Sequence, residues 1–353
     1  MKDAIFVFSA HSASPEYSFI THLYTPSSRF EAPEWCGLPE YVRWLYIAVR
    51  IKHHSGVVKI AIYLIVSGVG VGFVLCVGVA AKSFWNERAD YVRTPPPAIS
   101  RHPERTGIEG LAEVSFSSTD GQRVAGWYAP SRNRAAIVLV HGTGAERSSL
   151  LFETGFLSQA GFGVLAIDLP GQGASEGRTR WGVPERYAIT AAVGWLRTRG
   201  EVDPERIGGF GFSMGAYVLT QAAVLEQRLR AVALVSSPND VVEQNWLATA
   251  KWGLLTQVPC YLALRAYGQS LDMPPKNVIG SIAPRAVLIV GGDLDTLVPA
   301  FMARQLFSAA GSPKEMWLVP RAHHADFAQI AGPEYRNRVT GFFDRTLVSS
   351  RQH

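Results

Sequence analysis

The sequence predicts an α/β fold: a mostly parallel sheet with helices on both faces. Two observations carry that expectation. From about Gly107 onward, short apolar runs alternate with longer amphipathic ones, which is the pattern of strands joined by helical crossovers. One of those runs ends in "GFSMG", a serine between two glycines at the point where a helical pattern begins.

The elements follow in order. "LAEVSFSSTDGQRVAGWYAP" alternates, breaks at Asp120-Gly121 and alternates again, so it reads as an N-terminal β-hairpin. The candidate strands after it are Ala136 to Val140, Gly163 to Ile167, Arg206 to Phe212, Ala231 to Val235, Ala286 to Val290 and Met316 to Val319. A helix is expected over Ala216 to Gln227. Between Ser236 and Arg285 the chain is too long for a simple crossover. Residues 238–284 therefore form an insert, rich in apolar side chains: Trp246, Trp252, Leu254, Leu255, Tyr261, Leu262 and Leu264. The folded domain is expected over residues 107–348.

Ahead of this domain the text differs. Residues 1–56 form an aromatic-rich extension without clear periodicity until Tyr41 to Lys52. Ile60 to Ala81 contains no charged residue and is long enough to cross a bilayer as a helix. The expected organisation is a transmembrane helix within 57–82, single-pass, placing the protein at a membrane. The rival reading, a secretory signal peptide, would require translation to start near Val57. Arg43, Arg50, Lys52 and Lys59 before the run balance Lys82, Arg88, Arg93 and Arg101 after it, so loop charge assigns no orientation. "RTPPPAISRHPER" gives residues 83–106 the character of a stiff linker.

Composition narrows the function. The net charge of +5 is mild and the cations are scattered, which argues against nucleic acid as a partner. Cys36, Cys76 and Cys260 lie far apart and have no metal-ligand spacing, so neither a disulfide framework nor a metal site is expected. "GFGFSMG" has the glycines of a dinucleotide loop, but it comes late in the domain and lacks the spaced acidic partner.

A serine on a tight strand-to-helix turn sits beyond the carboxyl edge of the sheet, where such sheets hold ligands. Gly211 and Gly215 suit that turn because a Cβ at either would collide across it. A serine hydroxyl needs a base to take its proton and a carboxylate to orient the base. "GGDLDTLVP" supplies Asp293 and Asp295, and "RAHHADF" supplies His323 and His324, each after a later strand.

Taken in order, "HGTG", "DLPGQGASEG", "GFSMG", "GGDLDTLVP" and "RAHHADF" resemble the serine hydrolases of the α/β-hydrolase superfamily over Gly107 to Leu347, especially its membrane-tethered, esterase- or thioesterase-like members. The resemblance implies that fold, with the insert at 238–284 as a short lid. It implies Ser213 as nucleophile, Asp295 as acid with Asp293 as the alternative, and His324 as base with His323 beside it. In this chain a histidine replaces the glycine that usually precedes the base. The backbone N–H groups of Thr143 and Met214 would form the oxyanion hole. His141 is expected to hold its loop, Asp168 to shape the loop below the site with Gly171, Gly173 and Ser175, and Asp326 to act as a local cap. The implied reaction is hydrolysis of a carboxylic ester or thioester of a partly apolar, small or lipid-derived acyl substrate through an acyl-serine, with no cofactor. A membrane-bound serine peptidase and an inactive membrane-tethered scaffold are the alternatives. Dehalogenase and epoxide-hydrolase readings would need Asp where Ser213 stands.

Overall fold

The computed structural model describes residues 103–250, 253–266 and 271–349, together with Gly78. The predicted extension, the run 60–81 apart from Gly78, residues 83–102 and Trp252 lie outside these residues. Among the described residues no helix is long and apolar enough to cross a membrane.

Eight strands form one sheet in the order β1-β2-β4-β3-β5-β6-β7-β8. They are β1 (Ala112–Ser117), β2 (Arg123–Ala129), β3 (Ala136–Val140), β4 (Gly163–Ile167), β5 (Ile207–Phe212), β6 (Leu229–Val235), β7 (Ala286–Gly292) and β8 (Lys314–Val319). β1 and β2 are the expected hairpin, and β2 runs antiparallel to β4. Every pairing from β4 onward is parallel. β3 lies between β4 and β5, so the chain leaves β3 on one side and returns on the other. That reversal opens a crevice beyond the carboxyl ends of β3 and β5.

The helices are α1 (Leu151–Gln159), α2 (Val183–Leu196), α3 (Met214–Leu225), α4 (Val241–Ala248), α5 (Leu254–Ala266), α6 (Pro275–Val278), α7 (Ala300–Ala309) and α8 (Phe327–Phe343). They cover both faces because the central strands are apolar on both. Val138 and Val140 of β3 pack among Ile189, Val193 and Leu219 of α2 and α3. Ile137 and Leu139 pack among Phe156, Leu157, Phe342 and Phe343 of α1 and α8. Successive side chains on a strand point to opposite faces, so one five-residue run feeds two cores.

Several boundaries differ from expectation. α3 begins at Met214 rather than Ala216: Tyr217 N–H already donates to the Ser213 carbonyl, so the helix starts directly on the serine. β8 begins two residues earlier than Met316, because Lys314 and Glu315 pair with Val287 and Leu288 at the sheet edge, where polar residues suffice. β7 continues through Gly291 and Gly292, which pair with Leu318 and Val319. The insert consists of α4, α5 and α6. Asp240 caps α4 by accepting from Val242 N–H at 2.8 Å and Glu243 N–H at 3.3 Å. Its last turn returns to the core through buried Ile279 and Ile282.

Phe210, at the middle of β5, is fully buried, whereas Leu225 at the end of α3 is 62% exposed. Phe210→Ala should therefore lower the unfolding free energy by about 3–5 kcal/mol, and Leu225→Ala by no more than about 0.5 kcal/mol. Urea denaturation of the two variants measures the difference.

Candidate active site

Ser213 occupies φ 53 and ψ −119, a backbone region that side-chain-bearing residues rarely enter. It is held there from both sides: its N–H donates to Val235 at 2.8 Å, and its carbonyl receives the first α3 bond. The flanking glycines are obligatory. A Cβ on Gly211 would lie 2.6 Å from the Ala216 backbone, and one on Gly215 would lie 2.1 Å from the Val140 carbonyl oxygen. Gly142 is tight as well, since a Cβ there would meet the Ser213 Cβ at 3.2 Å.

Three loops beyond the carboxyl ends of β5, β7 and β8 converge on this serine. His324 Nε2 lies 3.0 Å from Ser213 Oγ. His324 Nδ1 lies 2.8 Å from Asp295 Oδ2. The Asp295 side chain is fully buried. Its other oxygen accepts from the N–H groups of Leu297 and Val298 at 2.9 and 2.8 Å, so the carboxylate is fixed before it meets the ring. A hydrogen-bonded chain of carboxylate, imidazole and hydroxyl results. The ring of Phe212 packs beside His324 with centroids 5.2 Å apart, a contact that the sequence reading did not single out.

The alternatives lie elsewhere. Asp293 is exposed. His323 is exposed, and its backbone N–H and ring both bond Asp326, at 2.7 and 3.0 Å. Asp326 precedes α8, but its carboxylate ties down the His323 turn and makes no cap hydrogen bond to the helix. The expected cap is therefore corrected: the Asp326 carboxylate is taken up by His323 on the turn before the helix.

His141 is fully buried and makes two loop contacts. Its Nδ1–H donates to the Gly142 carbonyl at 2.8 Å, and its Nε2 accepts from Leu169 N–H at 3.0 Å. Those bonds require the neutral ring, and burial holds its pKa below the ordinary 6.5. Asp168 accepts from Arg147 N–H at 2.8 Å, from the Arg147 guanidinium at 2.7 Å and from Ala174 N–H at 2.7 Å. A Cβ on Gly173 would fall 2.1 Å from its Oδ2. Ser175 Oγ donates to the Asp168 carbonyl at 2.8 Å and accepts from Ala125 N–H. These residues build the loops beside the site and stay off the serine.

A cavity of about 590 Å³ opens at Ser213 and His324, with Gly142 and Thr143 on its wall. Thr143 is exposed there, and Met214 is the first residue of α3. The insert reaches this cavity through Val241, Gln244 and Asn245 of α4. The apolar residues expected from sequence do not line it: Leu264 is buried, while Trp246, Leu254, Tyr261 and Leu262 face outward. Trp252 and the Leu255 side chain are outside the described residues. Glu153 and Phe152 of α1 and Phe327 and Tyr335 of α8 complete the wall. The α1 contribution was missed because no motif marks it; only the fold brings Glu153 alongside.

A family model described as the alpha/beta hydrolase family matches residues 137–281. The protein Rv2307c of Mycobacterium tuberculosis is 30% identical over 243 residues, covering 67% of this chain and 80% of its own. The chain belongs to the alpha/beta hydrolase family. This alpha/beta hydrolase is also 27% identical to YfhR of Escherichia coli K12 over 243 residues, 65% of this chain and 79% of that one. Among solved structures, the Pyrococcus furiosus esterase Pf2001 superposes with a TM-score of 0.62 at 23% identity, covering 72% of this chain and 98% of its own, a likeness of fold.

The neutral state of His141 ties the stability of this alpha/beta hydrolase to pH. Below 6.5 the unfolded chain protonates this histidine and the folded chain does not. Stability should thus fall with decreasing pH from there down to the depressed folded value, by up to about 1.4 kcal/mol per pH unit. Urea titrations of the wild type and His141→Gln at about pH 7.5 and about pH 5.5 test the effect. The wild type should lose more stability between the two pH values than the variant does.

Proposed function

We propose that this alpha/beta hydrolase cleaves carboxylic esters or thioesters by way of an acyl-serine. The observation that carries the reading is the unbroken chain from Asp295 through His324 to Ser213, with contacts of 2.8 and 3.0 Å. Ser213 Oγ attacks the acyl carbonyl while His324 Nε2 takes its proton. Asp295 holds the ring with Nδ1 protonated, leaving Nε2 free to accept, and steadies the imidazolium that forms. The N–H of Met214 belongs to the first turn of α3, whose leading N–H groups have no partner within the helix. With Thr143 N–H it would receive the oxyanion. His324 then returns the proton to the leaving alcohol or thiol, and water repeats the sequence to release the acid.

The cavity favours a partly apolar substrate, since Phe152, Trp181, Phe212, Leu297 and Phe327 form an apolar part of a wall whose remainder is polar. The run 60–81 would hold the domain at a membrane as a single-pass anchor, bringing it to lipid-derived substrates.

Ser213→Ala should lower kcat for p-nitrophenyl ester hydrolysis by on the order of 10⁶-fold. Asp295→Asn should lower it by on the order of 10⁴-fold, because an amide N–H₂ facing the ring stabilises the wrong tautomer. Both losses are read in steady-state kinetics with far-ultraviolet dichroism unchanged. Wild-type turnover in Ser213→Ala would remove the assignment.

A further inference from the structure

Glu153 is an acid at the wall of the reaction cavity that the hydrolytic steps leave without a task. It lies in the first turn of α1 and is 9% exposed. Its Oε1 accepts from the Tyr335 hydroxyl at 3.0 Å. Among the described residues no lysine or arginine lines the cavity, and Glu153 is the one acid that does. The groups acting on its carboxyl are its own N–H and the Tyr335 hydroxyl; burial outweighs both and pushes its pKa up. A carboxyl placed this way is short of one thing, a cation.

The surroundings suit a cation as well. Tyr335 stacks on Phe327 at 5.8 Å and on Phe152 at 6.4 Å. All three rings line the same cavity as Glu153. Aromatic rings attract cations, more strongly where water is scarce. Arg336, one of the two arginines on the same helix, has its guanidinium over the Phe152 ring at 5.9 Å. A hydroxyl could accept or donate one neutral hydrogen bond here. An ammonium group would add a charge-assisted bond, roughly twice as strong as a neutral one.

We propose that the Glu153–Tyr335 corner is a subsite for a protonated primary amine carried by the substrate, so that the preferred esters or thioesters have an ammonium group on their acyl or alcohol portion. This rests on the hydrolase reading above and extends it to a substrate class. Glu153 contributes the carboxylate, whose charged form the bound ammonium favours against the burial that opposes it. Tyr335 fixes one carboxyl oxygen and leaves the other for the ligand, and Phe152 and Phe327 flank the alkyl stem.

The experiment compares p-nitrophenyl acyl esters of matched length that end in either an ammonium or a methyl group. Wild-type kcat/KM should favour the ammonium ester by about tenfold. Glu153→Gln should bring the ratio to near one. A wild-type ratio of one or below overturns the proposal, as does a preference that persists in Glu153→Gln. If that variant does not fold, the wild-type ratio decides alone. Calorimetric binding of hexylammonium against hexanol to the Ser213→Ala protein separates this proposal from the hydrolase reading. Preferential hexylammonium binding upholds the subsite even if no ester is turned over, and equal or weaker binding overturns it.

Discussion

One strained residue organises this molecule. Ser213 sits at φ 53, a conformation costing on the order of 1–3 kcal/mol. It persists because strand β5 delivers the chain upward and α3 carries it away within a single residue. Val235 grips the serine N–H, and the core on both faces of the sheet holds β5 in place. The two glycines are consequences of that geometry: a side chain at Gly211 would strike the helix, and one at Gly215 would strike the carbonyl oxygens ending β3. Local strain and global packing are thus one arrangement, and the exposed edge of the turn faces the cavity.

Around this turn, polar groups are positioned from behind. Asp295 is anchored by two backbone N–H groups before it reaches His324. On the other side, Asp168 and Arg147 form a buried pair that Glu113 extends at 2.9 Å, and His141 ties the loop after β3 to the loop after β4. Each is held by bonds within its own loop or to the loop beside it, which leaves the hydroxyl and the imidazole facing each other at the centre. Preorganisation of this kind avoids the reorganisation that solvent dipoles would need as charge develops.

Much of this could be read from the chain, and the reasons are local. Apolar runs such as "AIVLV" admit few assignments, and "GFSMG" ties a steric requirement to a chemical one. The choice of Asp295 over Asp293 followed from the resemblance of "DTLVP" to the hydrolase pattern, and the structure places Asp295 against the ring and Asp293 in solvent. What escaped was whatever depends on distant packing. The outward turn of Trp246, Leu254, Tyr261 and Leu262 is invisible in composition, because apolar content does not say which way a helix faces. Glu153 and Tyr335 are 182 positions apart, and only the docking of α8 against α1 brings them together. β8 starts earlier than hydropathy suggests because an edge strand tolerates Lys314 and Glu315.

The claim on which the account turns is that the Ser213 hydroxyl is an activated nucleophile. Peptide mass mapping after exposure of the full chain to a fluorophosphonate measures this most directly. The account predicts a single phosphonyl adduct, on the peptide carrying Ser213. An intact protein that forms no adduct, or forms it on a different serine, would contradict it.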